Sequence, residues 1–323
     1  MIKPLVLFIV GPTASGKTKL SIELAKRFNG EIVSADSMQI YKGMDIGTAK
    51  PDAIERDGIP HHLIDVCEIG DSFSVADYQA MAKEAIFEIS SRGKLPIVVG
   101  GTGLYVDSVV NNTQFADHED STELRKRLSD ELEKLGCEYM YARLLSVDPE
   151  SAKKLHPNDT KRVLRALECF ELTGVPKSVH DEKSHNNDGF CKPLMIGLNY
   201  TDRELLYDRI NKRVDMLIDM GLVNEIKGLS AIGLRESATA AQAIGYKELY
   251  GYIDGVESLD VATERLKQET RRYAKRQLTW FRRNKNINWI NVDTDAFGSF
   301  DTALSIASDL VMEKIGEGYA QQD

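Results

Sequence analysis

The sequence has no paired cysteines. Its four (Cys67, Cys137, Cys169, Cys191) are scattered through 323 residues with no C-x-x-C spacing, which argues against a zinc site and a disulfide framework and suits a reducing cytosol. No stretch approaches the roughly 18 apolar residues of a membrane span. The apolar run Leu5 to Val10, after Lys3, is short for a signal peptide and leads into glycine rather than a small-residue cleavage site. A soluble, cytoplasmic protein without a membrane partner is therefore expected. No internal repeat is apparent. An overall basic excess is missing too: the net charge is −9 and the pI near 5.3, which alone lowers the odds of a nucleic-acid partner. With 42% hydrophobic residues the chain is not disordered and can bury a full core, in one large elaborated domain or in two.

What is present begins at the first strand. Leu5 to Val10 (LVLFIV) is a short apolar run, followed at once by Gly11-Pro12-Thr13-Ala14-Ser15-Gly16-Lys17-Thr18 and then by an amphipathic helical segment, Lys19 to Phe28. The octapeptide fits G-x-x-x-x-G-K-[ST], and its strand–loop–helix context is the one a phosphate cradle needs. Backbone N–H groups and the positive end of the helix dipole converge on one concavity, where Lys17 adds charge and the Thr18 hydroxyl can reach a metal such as Mg²⁺. A diphosphate or triphosphate ligand follows.

Further along, Glu31 to Ala35 reads as a second strand ending at Asp36-Ser37, and Asp36 is expected on the rim where open α/β sheets bind ligands, with a cap role as the alternative. Met38 to Pro51 reads as an irregular loop over the site. His61 to Val66 reads as a third strand; adjacent histidines point to opposite faces of a strand and make a poor chelating pair. Ser74 to Ser91 is expected as a helix with Ser72 or Ser74 as its N-cap, and Leu95 to Val99 as a fourth strand running into Gly100-Gly101-Thr102-Gly103, where small residues permit close approach to a ligand. That strand ends in glycines and not in the Walker-B acid of ordinary phosphoryl transferases, which weakens a kinase reading without excluding it.

From Asp107 helices follow one another: Leu124 to Leu135, Tyr139 to Leu145, Ser151 to Leu155 and Lys161 to Leu172, then a polar stretch, Val179 to Lys192, expected to be an exposed loop. Strand character resumes at Pro193 to Tyr200. The expected fold is α/β, a P-loop NTPase-like parallel sheet core (1–110 and 193–323) with an inserted all-helical domain (111–192). The last third reads as helices over Asp202 to Met220, Val223 to Leu229, Thr239 to Tyr252 and Leu259 to Arg283, a strand at Asn288 to Val292 and a terminal helix over Thr302 to Ile315. Between Arg265 and Lys285 stand Arg265, Lys267, Arg271, Arg272, Lys275, Arg276, Arg282, Arg283 and Lys285 against the acid Glu269. Local sign sets what a surface attracts, so this helix should face phosphates. Lys161, Arg162 and Arg165 form a second basic cluster, for which a solvated helix face is an equal alternative.

GPTASGKT (Gly11 to Thr18), DSMQIYKGMDIGTAKP (Asp36 to Pro51), HHLID (His61 to Asp65), VGGTGLY (Val99 to Tyr105), HPND with KR (His156 to Asp159, Lys161-Arg162), AIGYKE (Ala243 to Glu248) and KRQLTWFRR (Lys275 to Arg283) stand in the order seen in the tRNA dimethylallyltransferase family, the bacterial tRNA isopentenyltransferases, and the chain resembles that family over nearly its whole length. The resemblance implies transfer of a dimethylallyl group from dimethylallyl diphosphate to N6 of the adenosine 3′ of the anticodon, with Mg²⁺ as cofactor and a monomeric enzyme. It implies Asp36 as base, Thr102 as its helper, and Gly11, Pro12, Thr13, Ala14, Ser15, Gly16, Lys17 and Thr18 around the diphosphate. It implies tRNA contacts from Asp36, Ser37, Met38, Gln39, Thr102, Arg125, Lys161, Arg162, Val163, Leu164, Arg165, Arg265, Leu266, Lys267, Gln268, Glu269 and Thr270. For Arg271, Lys275 and Arg276 the resemblance implies a role toward RNA or diphosphate, with both alternatives open. This chain has Gln242 where some relatives have Arg, and Lys161 where Gln is frequent. An adenylate isopentenyltransferase, a P-loop kinase and a non-catalytic RNA-binding protein are the competing readings.

Overall fold

The computed structural model describes residues 3–113, 115, 122–185, 189–293 and 300–320. The chain divides into two compact units, Met1–Val110 with Phe190–Asp323, and Asn111–Gly189.

The larger unit is built on a six-stranded sheet, all parallel: β1 (Leu5–Val10), β2 (Gly30–Ser34), β3 (His61–His62), β4 (Leu95–Gly100), β5 (Lys192–Asn199) and β6 (Ile287–Asn291), in the order β3-β2-β4-β1-β5-β6. A parallel sheet is covered on both faces, which is why its strands read as continuous apolar runs rather than alternating ones. In β1, Val6, Phe8 and Val10 pack with Tyr78 and Ile86 of the Val75–Ser91 helix, while Leu7 and Ile9 pack with Leu20 and Leu24 of the P-loop helix and Leu304 of the last helix. From β1 the chain crosses to β2, beyond β4, while β5 lies on the other side. That change of direction opens a crevice at the carboxyl ends of β1 and β4, where such folds take ligands.

Local chemistry sets the helix boundaries. Ser74 and Asp77 form a reciprocal capping box ahead of the Val75–Ser91 helix. Asp202 caps Arg203–Asp219, because Thr201 is instead engaged by Asp293, and Ser258 caps the long Leu259–Phe281 helix. A third apolar cluster unites Ile40, Tyr41 and Met44 of the loop after β2 with Leu222, Tyr246 and Leu266.

Several segments differ from their sequence reading. The strand expected over His61 to Val66 stops at His62, since Leu63 and Asp65 both adopt positive φ (60° and 58°) and turn the chain out of the ladder. Thr239 to Tyr252 is not one helix but 3₁₀ turns at Ala240–Gln242 and Lys247–Leu249 and a short helix at Tyr250–Ile253; Gly245, at φ 107°, interrupts it. Gly103–Val110 and Ala53–Arg56 form helices that the glycine content and irregular pattern concealed. The polar stretch read as a loop is helical over Lys177–His185; its residues 186–188 lie outside the described ones.

At the amino end of β2, the buried Glu31 carboxylate takes hydrogen bonds from Arg92 and Lys94, both at 2.8 Å, and pairs with His62 Nε2 at the same distance. This is where one of the adjacent histidines goes; the other, His61, meets the Ile59 carbonyl.

The smaller unit is helical among its described residues. Thr122–Val147 is interrupted at Gly136 (φ 80°) and folds with Thr160–Thr173 around Leu128, Met140, Leu144, Val163 and Leu167.

Candidate active site

The P-loop curls over the carboxyl end of β1. Gly11 sits at φ 141°, where a Cβ would approach the Leu198 carbonyl to 2.7 Å, and Gly16 at φ 93° sets the start of the Lys17–Arg27 helix. Lys17 Nζ donates to the Pro12 carbonyl at 2.7 Å, folding back across the loop. Burial of its ammonium, and the Arg213 charge, push the lysine down to about 7 against the opposing pull of Asp36.

Two cavities meet here. The larger, about 970 Å³, has the P-loop as its floor and is bordered by Arg209, Lys212 and Arg213 of the Arg203–Asp219 helix. The smaller, about 190 Å³, has apolar side chains of Met38, Val214, Leu217, Ile244 and Leu266 on its walls, interleaved with the polar groups of Ser37, Thr48, Gln242 and Thr270. Asp36, Thr13, Arg213 and Tyr273 border both.

Asp36 follows β2 by two residues. Its Oδ1 accepts the N–H of Met38 at 2.9 Å and of Gln39 at 3.4 Å, so it does cap a turn, yet it also stands at the junction of the cavities. Thr102 is brought to it by the end of β4: its N–H donates to the Ala35 carbonyl at 3.2 Å, and its Oγ1 accepts the Ser37 N–H at 3.1 Å. The glycines around Thr102 have steric causes. A Cβ on Gly100 would run into the backbone of Ala35, one on Gly101 into the Gln277 amide, and one on Gly103 into the Trp280 ring. A Walker-B acid thus has no room at Gly100 or Gly101.

The long Leu259–Phe281 helix closes this side. Gln277 accepts the Thr13 N–H and donates to the Gly101 carbonyl, and Trp280 Nε1 donates to Asp107 at 2.8 Å. The basic residues of this helix are less free than their sequence suggests. Arg265 pairs with Glu257 and donates to the Glu248 carbonyl, Lys267 pairs with Asp215 and Glu264, and Arg271 donates to Asn211 at 2.6 Å. Leu266 and Thr270 face the smaller cavity, whereas Gln268 is exposed and Glu269 pairs with Arg272. Lys275 and Arg276 are exposed without an ion pair among the described residues. Gln39 spends its amide within the loop, donating to the Thr48 and Ala49 carbonyls at 3.3 and 3.4 Å.

In the helical unit, Lys161, Arg162 and Arg165 are exposed, and Arg125 and Arg165 share the buried Glu168. Between them Val163 is 1% exposed and belongs to the unit's core. Leu164 packs partly against the same core.

Sequence reading missed Arg209, Lys212 and Arg213. Their i, i+3, i+4 spacing in YDRINKRVD places them on one helix face, and that was the available signal. Burial lowers the Arg213 pKa, with Asp36 and Glu55 opposing, but guanidinium stays charged.

A family model for IPP transferases matches residues 39–284. The chain belongs to the IPP transferase family. The tRNA dimethylallyltransferase of Thermoanaerobacter sp. (strain X514) is 53% identical over 289 residues, covering 89% of this chain and 92% of that protein, and the one of Bacillus subtilis (strain 168) is 49% identical over 287 residues, covering 89% and 90%. The crystal structure of the tRNA isopentenylpyrophosphate transferase from Bacillus halodurans superposes with a TM-score of 0.72 at 45% identity, covering 99% of both chains. A eukaryotic dimethylallyltransferase acting on tRNA gives 0.79 at 32% identity, covering 96% of this chain and 80% of that one.

Proposed function

We propose that this protein transfers the dimethylallyl group of dimethylallyl diphosphate to N6 of the adenosine 3′ of the anticodon in tRNA, giving N6-isopentenyladenosine and diphosphate. The observation that carries this is the position of Asp36, on the border of two adjoining cavities, a large one floored by the P-loop and bordered by cations and a smaller one beside it. A phosphate donor alone needs only the first.

In this reading the diphosphate lies on the P-loop amides, with Lys17, Arg209 and Arg213 around it, and the smaller cavity takes the acceptor base. A base stacked in an anticodon loop is out of reach and has to be flipped into its pocket. N6 attacks C1 of the donor, the C1–O bond breaks, and the electron pair leaves on the diphosphate oxygen. The N6 proton passes to the Asp36 carboxylate, while Thr102 and Ser37, hydrogen-bonded to each other, fix the rim on which Asp36 is presented. Charge that builds on the leaving group is met by groups already in place, which lowers the barrier without reorganisation. The apolar walls keep water from the allylic carbon.

Among the described residues no group of three His, Cys, Asp or Glu side chains could hold a metal by itself. Thr18, exposed in the larger cavity, would offer its hydroxyl to an Mg²⁺ bound beside the diphosphate, and such an ion would supply charge neutralisation for the departing group. The exposed cations Lys161, Arg162 and Arg165, with Lys275 and Arg276, supply phosphate contacts for the RNA.

Nucleoside analysis of tRNA incubated with the protein, dimethylallyl diphosphate and Mg²⁺ tests the proposal: isopentenyladenosine is expected. Turnover of AMP but not tRNA would instead assign an adenylate isopentenyltransferase, and ADP release from ATP with a small acceptor would assign a kinase.

A further inference from the structure

The loop after β2 contains three successive backbone N–H groups, of Asp45, Ile46 and Gly47, that no backbone carbonyl satisfies. One carboxylate takes all three. Glu225 Oε2 accepts from Asp45 at 3.1 Å and Ile46 at 2.6 Å, and Oε1 accepts from Gly47 at 3.0 Å. Consecutive N–H groups of this kind form an anion-binding concavity, and here the anion is built into the protein. Glu225 stands in the first turn of the Leu222–Ser230 helix, where the dipole favours a negative charge.

The same oxygen receives a fourth donor, the Tyr246 hydroxyl at 2.7 Å. The Tyr246 ring lies flush against Gly47, so that a Cβ there would come within 2.5 Å of it, and Gly245 approaches the Gly47 carbonyl. Gly47 and Thr48 line the smaller cavity, and so do Ala243, Ile244 and Gly245. Glu225 and Tyr246 therefore tie these two segments together without lining the cavity themselves. The register reaches the reacting carboxylate through Gln39, whose amide holds the Thr48 carbonyl and whose N–H meets Asp36.

We propose that Glu225 is a positioning residue for the acceptor base: its carboxylate fixes the Asp45–Gly47 turn, and with it the Gly47 and Thr48 lining of the smaller cavity, and so sets how the base meets Asp36. This rests on the reading that the smaller cavity takes the acceptor. A change at Glu225 moves that turn; Asp45 and Ile46 also border the larger cavity, but the P-loop amides that floor it stand on other elements and stay in place.

The experiment compares wild type, Glu225→Gln and Tyr246→Phe. Each is measured by steady-state transfer to an anticodon stem-loop RNA, and by fluorescence of a stem-loop carrying 2-aminopurine at the acceptor position, which reports insertion of the base without turnover. Gln is isosteric but turns an NH₂ toward backbone donors, so KM for RNA should rise about tenfold, the loss of a charge-assisted hydrogen bond. The 2-aminopurine signal should weaken in parallel, and KM for dimethylallyl diphosphate should stay within about twofold. Tyr246→Phe keeps the ring and loses one donor, and should shift the same readouts in the same direction by less. A lower melting temperature with both KM values unchanged, or an equal rise in both, would overturn the proposal alone. Absence of transfer and of a 2-aminopurine response in the wild type would overturn the functional reading and this proposal with it.

Discussion

Thr13 in the P-loop and Gln277 in the long basic helix, 264 positions apart, share a hydrogen bond of 2.8 Å from the Thr13 N–H to Gln277 Oε1. The other end of that buried amide donates to Gly101 at 3.1 Å, so one side chain holds the two glycine-rich turns together. Gln277→Leu keeps the volume but leaves both backbone groups unpaired, a cost of about 1–3 kcal/mol. Denaturant unfolding should show that loss, and the KM for dimethylallyl diphosphate should rise more than that for RNA. A stability loss with kinetics intact would confine Gln277 to a structural role.

Asp36→Asn retains an oxygen for the Met38 and Gln39 N–H groups and removes the proton acceptor. The expected result is a fall in kcat of about 10²–10⁴-fold, the range of a lost general base. RNA affinity in a binding assay should change little. Transfer at near wild-type rate in Asp36→Asn would remove Asp36 from the chemistry.

The lysine of the cradle makes diphosphate binding pH-dependent. With Lys17 held near 7 in the free protein, it is largely neutral above that pH, and an arriving diphosphate should raise its pKa and draw in a proton. Calorimetry at pH 8 in two buffers of different ionisation heat should report uptake of up to one proton. Lys17→Met should abolish that uptake together with most of the affinity. The same shift acts on folding: because the unfolded lysine binds its proton up to about 10.5, this residue adds stability as pH rises from about 7 toward that value.

Glu31 works in the opposite direction. Burial alone would raise its pKa, but the hydrogen bonds of Lys94 and His62 and the charge of Arg92 outweigh burial and hold it at about 2, below the ordinary 4.5. A depressed carboxyl contributes stability above its unfolded pKa and loses it as pH falls through the folded one, so the loss runs from about pH 4.5 to about pH 2. The shift corresponds to roughly 3 kcal/mol, to order of magnitude. Glu31→Gln should be less stable at pH 7 and flatter in that acid window by thermal unfolding.

Gly103→Val tests the steric account of the second glycine turn. The added side chain meets the Trp280 ring, and overpacking of this kind costs about 1–3 kcal/mol. The melting temperature should fall, and Thr102 should be displaced, lowering transfer. An unchanged melting temperature would mean that the helix yields more easily than its Asp107 hydrogen bond suggests.

Elements whose signal is local were legible in the sequence. Leu5–Val10 announced a buried central strand, Gly11 to Thr18 a phosphate cradle, and Ser74 a helix start, because each depends on residues within a few positions. The end of β3 was not legible, since Leu63 and Asp65 are ordinary strand and turn residues whose left-handed conformations depend on packing and on the ion pair of Lys50 with Asp65. Thr239 to Tyr252 has helical composition, but Gly245 is held by the buried Glu248 carboxylate, which accepts its N–H at 2.9 Å. At the site, motif spacing located Asp36 and Thr102. Arg213 was hidden within an ordinary amphipathic helix, and the pairing of Arg265 with Glu257 could not be read from a count of charges.

The meeting of Gly103 with Trp280 has a consequence for sequence variation. The glycine is small because the Trp280 indole, far along the chain, occupies its side-chain volume, so the two sites are free to change only as a pair. Among relatives, a bulkier residue at position 103 should arrive with a smaller one at 280, and a chimera that swaps only one of the two segments between distant relatives should fold poorly even when both parents are active.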